Sequence, residues 1–193
     1  TDKPTSADIF VITVPTPIDK GNIPDLLYVK EVTKTIAPLL VKGNMVILES
    51  TLPVGGTEQM IQWLLEERID LNIPLRSSDD TQETDINIAY CPERVLPGNI
   101  LKELINNDRI IGGLTRDCSS KAYSFYKEFV NGDCLKTNIK TAELCKLAEN
   151  SFRDVNIAFA NELSLICEEE NINVWELIEL ANRICLLPTD FYF

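Results

Sequence analysis

The sequence predicts an α/β fold in which a mainly parallel sheet is followed by a long helix and the start of a helical domain. Three observations predict it. Short β-branched runs alternate with stretches of helical periodicity between residues 9 and 137, the pattern of a layered fold with right-handed crossovers. The run Ile9-Phe10-Val11-Ile12-Thr13-Val14 is apolar at almost every position, as parallel strands covered on both faces are. Residues 141–170 then pass without Gly or Pro, room for a helix of roughly 45 Å.

The elements follow in order. The run at 9–14 is stopped by Pro15 and Pro17 and reads as a central strand. Residues 25–40 place Leu26, Val29, Val32 or Thr33, Ile36 and Leu39 at helical spacing, with Gly43 beyond. Met45-Val46-Ile47-Leu48 is the next strand. A turn at Pro53, Gly55 and Gly56 leads to a helix over 57–68, with Met60, Ile61, Leu64 and Leu65 on one face and Glu58 in the first turn. Residues 77–84 are polar and acidic, a surface loop, before Ile86-Asn87-Ile88-Ala89-Tyr90 resumes strand character and Pro92 ends it. A strand over 109–113 closes on a glycine pair, a helix is expected over 119–130, and a short strand over 134–137. The helix from Thr141 to Glu170 is longer than one sheet domain uses, so it is expected to bridge to a second domain or a partner subunit. A shorter helix over 174–183 follows. Residues 185–193 show neither periodicity nor a cap.

Composition removes several function classes. The 193 residues carry 18 basic and 30 acidic side chains, net −12, which disfavours a partner held through nucleic-acid phosphates. Without histidine there is no Ser-His or Cys-His dyad and no imidazole metal ligand. Six cysteines at 91, 118, 134, 145, 167 and 185 form no C-x-x-C pair, so no zinc or redox motif is written, and no metal site is expected. Cys145 and Cys167 fall in helical apolar patterns, where a free thiol acts as a small hydrophobe in a reducing compartment, here the cytoplasm. The longest apolar runs, 9–14 and 45–48, are far below the roughly 20 residues that span a bilayer. The segment up to Ser6 is polar and resembles neither a signal nor a targeting sequence.

In open parallel sheets ligands lie beyond the C-terminal ends of the strands. Val14-Pro15-Thr16-Pro17 follows the first strand, stiff enough to lie along a flat ligand or simply to form a rigid turn. The segment from Glu49 through Ser50, Thr51, Leu52 and Pro53 to Gly56 follows the second and opens a helix whose exposed N–H groups favour an anion, or is simply a strand-to-helix turn that needs Gly. Cys91-Pro92-Glu93-Arg94-Val95-Leu96-Pro97-Gly98 follows the third and sets a carboxylate beside a guanidinium, a site or a structural ion pair. On the long helix Lys146 and Asn150 lie about 40° apart on the helical wheel with Arg153 near the same stripe, an anion-binding face or a solvated one. The eight glycines nowhere spell G-x-G-x-x-G, so the pyrophosphate-binding turn of a dinucleotide domain is not in these residues.

Taken in order, these three loops and the stretch Ala142-Glu143-Leu144-Cys145-Lys146-Leu147-Ala148-Glu149-Asn150-Ser151-Phe152-Arg153-Asp154 resemble the UDP-glucose/GDP-mannose dehydrogenase family. The resemblance runs to about Arg183, and Pro-Glu-Arg with Pro-Gly in the third loop resembles the branch that acts on UDP-N-acetylmannosamine. It implies an incomplete Rossmann-like parallel sheet at 1–139 that binds NAD, and a long central helix opening a middle helical, dimerising domain at 140–184, with a divergent tail at 185–193. Such enzymes oxidise a sugar C6 alcohol to the acid with two NAD per turnover, through an aldehyde and a cysteine thioester, in polysaccharide precursor synthesis.

The resemblance also implies roles. Val14, Pro15, Thr16, Ser50 and Thr51 match the NAD-lining loops, and Thr51 also helps place a catalytic water. Glu93 matches the acid linked to thioester hydrolysis, and Arg94, Val95 and Leu96 match the loop that holds the sugar nucleotide. Lys146 and Asn150 match the pair that steadies the developing oxyanion, with Arg153 on the substrate side. The family's opening glycine-rich unit and its Gly-Gly-His-Cys nucleophile segment are both missing here, and Cys185 lacks the neighbours of that nucleophile. The expectation is therefore an inactive fragment of a UDP-N-acetylhexosamine 6-dehydrogenase. UDP-N-acetylglucosamine is the rival sugar, and a non-catalytic assembly module using the long helix is the rival class.

Overall fold

The computed structural model describes residues 3–76, 83–95 and 98–184. The expected acidic loop at 77–84 falls mostly outside the described residues, as does the tail at 185–193. Strands β1 (Ile9–Ile12), β2 (Met45–Leu48), β3 (Asn87–Tyr90), β4 (Arg109–Gly113) and β5 (Cys134–Asn138) form one sheet in the order 1-2-3-4-5. Between them lie helices α1 (Leu27–Ile36), α2 (Gly56–Glu67), α3 (Ile100–Asn106) and α4 (Arg116–Lys127). After them come α5 (Ile139–Glu170) and α6 (Val174–Ile184). A 3₁₀ turn at Ala37–Leu39, opened by Pro38, extends α1 to the predicted end of its segment.

β1, β2 and β3 run parallel in register, with Ile12 beside Leu48 and Leu48 beside Tyr90. Their alternating side chains fill two layers. Val46, Leu48, Ile88 and Tyr90 pack with Val29 and Ile36 of α1 and Met60, Ile61 and Leu64 of α2. Met45, Ile47 and Ala89 face the other way, onto Ala122 and Tyr126 of α4. Strands buried on both faces need apolar runs such as that of β2, and in β3 the one buried polar side chain, Asn87, donates to Gly43 O at 3.0 Å and Asn44 O at 3.1 Å.

β1 differs from expectation. It pairs only with β2 among the described strands and lies at the sheet edge instead of its centre. Phe10 and Ile12 are buried, while Val11 on the opposite face is 42% exposed. Ile9, on the face of Val11, packs only partly buried against the second layer, so the run is covered fully on one face and incompletely on the other.

The sheet is also not wholly parallel. β4 runs antiparallel to β3, pairing through Ala89–Gly113 and Tyr90–Gly112, and β5 then follows β4 in parallel. A parallel return needs a crossover that covers the sheet. The intervening α3, which the periodicity does not predict, buries no residue and covers no face.

Gly112 is required by close approach. A Cβ there would stand 2.8 Å from both Ala142 Cβ and Asn138 O, so β4 meets the first turn of α5 through a bare backbone. Ile139 and Ala142 are accordingly buried in the sheet's core. The chain divides into two compact units, Thr1–Lys146 and Leu147–Phe193. In the second, Cys167 is buried, and α5 leaves Phe152 and Val155 exposed while α6 leaves Trp175 exposed.

Candidate active site

The parallel register carries β1, β2 and β3 to one end of the sheet, and the three predicted loops leave from there. Side-chain hydroxyls tie the first two together. Ser50 Oγ donates to Val14 O at 2.7 Å, and Thr16 Oγ1 donates to Thr51 O at 2.7 Å. Pro15 is exposed while Val14, Thr16 and Thr51 are half-buried, so the joined loops present a stiff, partly apolar surface. The third loop joins the second through Glu93 N–H, which donates to Glu49 O at 3.3 Å. The Glu93 carboxylate accepts from its own loop, at Val95 N–H. Arg94 and Val95 are half-buried, and Leu96 lies outside the described residues.

The anion-ready end of α2 is not vacant. Glu143, fully buried on the first turns of α5, accepts from Gly55 N at 2.7 Å, Thr57 N at 2.8 Å and Thr57 Oγ1 at 2.7 Å. The expectation that these N–H groups await a ligand anion is thus corrected: the protein's own carboxylate satisfies them. Gly55 adopts φ of +92°, a left-handed conformation that suits glycine, at this capping position.

Beneath the loops lies a buried group that no local sequence pattern marks. Tyr126 Oη donates to Glu49 Oε1 at 2.6 Å, Arg109 Nη1 stands 3.5 Å from the same oxygen, and the guanidinium lies 4.8 Å from the Tyr126 ring centroid. Burial pushes the Glu49 carboxyl above its usual range, opposed by the Tyr126 hydrogen bond and Arg109 and reinforced by the nearby Glu93 charge. Burial, with the neighbouring Cys91 and Glu49, drives the Tyr126 phenol far up. The Cys91 thiol, fully buried, is pushed up to about 11, chiefly by burial, which makes it a poor nucleophile. Arg109 Nε is buried and makes no hydrogen bond among the described residues.

Lys146 and Asn150 are both half-buried and stand one turn apart on α5. Arg153 is exposed and pairs with Glu149 at 3.4 Å. The division between the two units falls just after Lys146, so Asn150 and Arg153 belong to the second. Among the described residues no cluster of His, Cys, Asp or Glu could hold a metal ion, and no helix is long and apolar enough to cross a membrane.

The position of Glu143 had a signal. It stands four residues after Ile139 and one after Ala142, a carboxylate inside a buried helical stripe, which requires a polar partner. Glu49 and Arg109 had none, since they meet only through the pairing of β2, β3 and β4.

Residues 1–130 match the NAD binding domain of the UDP-glucose/GDP-mannose dehydrogenase family, and residues 140–185 match that family's central domain. The chain belongs to this family. Over 181 residues it is 62% identical to a UDP-N-acetyl-D-mannosamine dehydrogenase of Yersinia pestis, covering 94% of this chain and 42% of that one. An NDP-N-acetyl-D-galactosaminuronic acid dehydrogenase of Ralstonia solanacearum is 56% identical over 183 residues, covering 95% of this chain and 43% of the other. Among solved structures, a UDP-D-ManNAc dehydrogenase from Pyrococcus horikoshii matches with a TM-score of 0.84 and 41% identity, over 95% of this chain and 41% of that one. The chain thus spans about two fifths of the length of the relatives it matches. The Rossmann-like reading of the sheet, and the long helix after it, accord with the family and with that structure.

Proposed function

We propose that this chain forms part of an NAD-dependent 6-dehydrogenase that converts the C6 alcohol of UDP-N-acetyl-D-mannosamine to the uronic acid for polysaccharide precursors. One observation carries the reading: the loops after β1 and β2 are cross-bonded at the end of the sheet, in a chain so close to a relative of that name. The residues fit one end of the cofactor. Val14, Pro15, Thr16, Ser50 and Thr51 would hold the nicotinamide half, whereas the α2 N-terminus is filled by Glu143 and offers the pyrophosphate no cradle. Residues 1–139 would serve as the cofactor domain and 140–184 as the opening of the helical one.

Bound NAD would supply the hydride acceptor. The Lys146 ammonium and the Asn150 amide would donate to the substrate oxygen as negative charge develops on it. Glu93 would move a proton, and Thr51 would orient water. Arg94, Val95, Leu96 and Arg153 would contact the sugar nucleotide. Burial disfavours the Cys91 thiolate, and the family's Gly-Gly-His-Cys segment does not occur in these 193 residues, so the chain by itself would not turn over.

The test compares this chain with a longer protein carrying it together with the family's Gly-Gly-His-Cys segment, followed by NADH absorbance with NAD and UDP-N-acetyl-D-mannosamine. The longer protein is expected to turn over and to lose about 10²–10³ in rate on Lys146→Ala, while this chain stays silent. Sustained turnover by the chain alone would overturn the missing-thiol reading. Preference for the glucosamine or galactosamine nucleotide would overturn the sugar assignment, the second being suggested by the Ralstonia solanacearum relative.

The exposed Phe152 and Val155 support a homodimer formed through α5, which light scattering showing a monomer at every concentration would exclude. The five free cysteines among the described residues support a reducing, cytoplasmic setting, which disulfides found in the isolated protein would contradict.

A further inference from the structure

Among the described residues Glu143 is the one carboxylate buried completely, and its three donors all stand at the N-terminus of α2. A helix N-terminus leaves its first N–H groups without helical partners, and Gly55, at the capping position, has no side chain to supply one. Glu143 fills that role from 86 and 88 residues away in the chain. Lys140, three residues earlier on α5, adds an ion pair to Glu58 at 3.1 Å, so α5 grips the first turn of α2 at two points.

The grip matters because of what lies on either side of it. Only four residues after Thr51, Gly55 gives its N–H to Glu143. The segment between is stiff: Pro53 O accepts from Gly56 N at 2.9 Å, and Thr51 O is held by the Thr16 hydroxyl. Three residues after Glu143 comes Lys146, about 4.5 Å further along the helix axis. A neutral hydrogen bond could hold one end of this arrangement. A carboxylate using both oxygens fixes the helix in rotation as well as in translation.

We infer that Glu143 is a positioning residue: by clamping Gly55 and Thr57 it sets the register between the Ser50–Thr51 loop and Lys146. The inference rests on the reading above that Thr51 and Lys146 serve one site, and it adds the part that fixes their spacing. Glu143 touches neither substrate nor cofactor in this role, and acts through the α2 N-terminus.

The test uses this chain, labelled with ¹⁵N, and the variants Glu143→Gln and Thr57→Val. Glu143→Gln keeps the side chain's size but turns one acceptor into a donor facing an N–H. Thr57→Val removes one of the three bonds and leaves both backbone donors in place. The amide signals of Gly55 and Thr57 are expected to move upfield in Glu143→Gln, and those of Ser50, Thr51 and Lys146 to move with them. Thr57→Val should produce the same pattern with smaller shifts, and it decides the matter if Glu143→Gln fails to fold. Changes confined to Gly55 and Thr57, with Ser50, Thr51 and Lys146 unmoved, would overturn the inference and leave Glu143 a local cap. Titration with UDP-N-acetyl-D-mannosamine is a separate arm. A wild-type chain whose Thr51 and Lys146 signals ignore the nucleotide counts against the site reading, while the variant shifts still decide the role of Glu143.

Discussion

Glu49 immediately precedes Ser50 and Thr51, yet its side chain turns away from them into the sheet, where the Tyr126 hydroxyl and the Arg109 guanidinium meet it. Burial dominates its titration, holding the carboxyl above its ordinary value of 4.5. A carboxyl raised in the folded state contributes stability that is complete below the unfolded pKa and lost as pH rises through the folded one. Wild-type stability should therefore carry a component that falls as pH rises above about 4.5 and that Glu49→Gln lacks. Urea denaturation of both proteins across that range gives the difference directly. A difference between the two proteins that does not vary with pH would contradict the raised carboxyl. This group escapes the sequence because each member has an ordinary local reading. Arg109 opens a strand, Tyr126 lies on the apolar face of a helix, and Glu49 ends a strand. Only the antiparallel pairing of β3 with β4 brings them together.

The elements were legible where one period dominated. The runs of β2 and β3, the spacing of α1 and α2 and the Gly- and Pro-free length of α5 all appear as predicted, with ends shifted by a residue or two. α4 starts at Arg116 instead of 119 because Thr115 caps it, accepting from Cys118 N, a Thr-x-x-Cys signal that the periodicity does not contain. α3 went unseen because it has no buried face to impose a period. The glycine pair closing β4 was visible, but its reason was not: Gly112 makes room for α5. Gly112→Ala places a methyl group 2.8 Å from Ala142 Cβ and from Asn138 O, where backbone has to yield. A loss of about 1–3 kcal/mol is expected, the range for overpacking a filled interior. A urea midpoint unchanged by this substitution would mean that α5 shifts freely along β4, contrary to the contact described.

For the whole chain, two opposed features decide how it behaves in solution. Its net charge of −12 keeps copies apart, while β1 presents a backbone edge that no other described strand pairs, with Val11 42% exposed beside it. Repulsion between copies reaches about 10 Å at 0.1 M salt and shrinks as salt rises, whereas strand pairing at an edge acts at contact. Association should therefore be slow at low salt and fast at high salt. Val11→Lys separates the two features. It lowers the net charge from −12 to −11, which by itself would favour association, and it puts a solvated cation on the edge, which obstructs pairing. Slower aggregation of Val11→Lys at high salt, followed by light scattering, would place the contact at β1. The melting temperature should hardly change, since the position is exposed and an amine there reaches water. Aggregation as fast as wild type would move the contact elsewhere, first to the exposed Phe152, Val155 and Trp175 of α5 and α6, which the substitution leaves untouched.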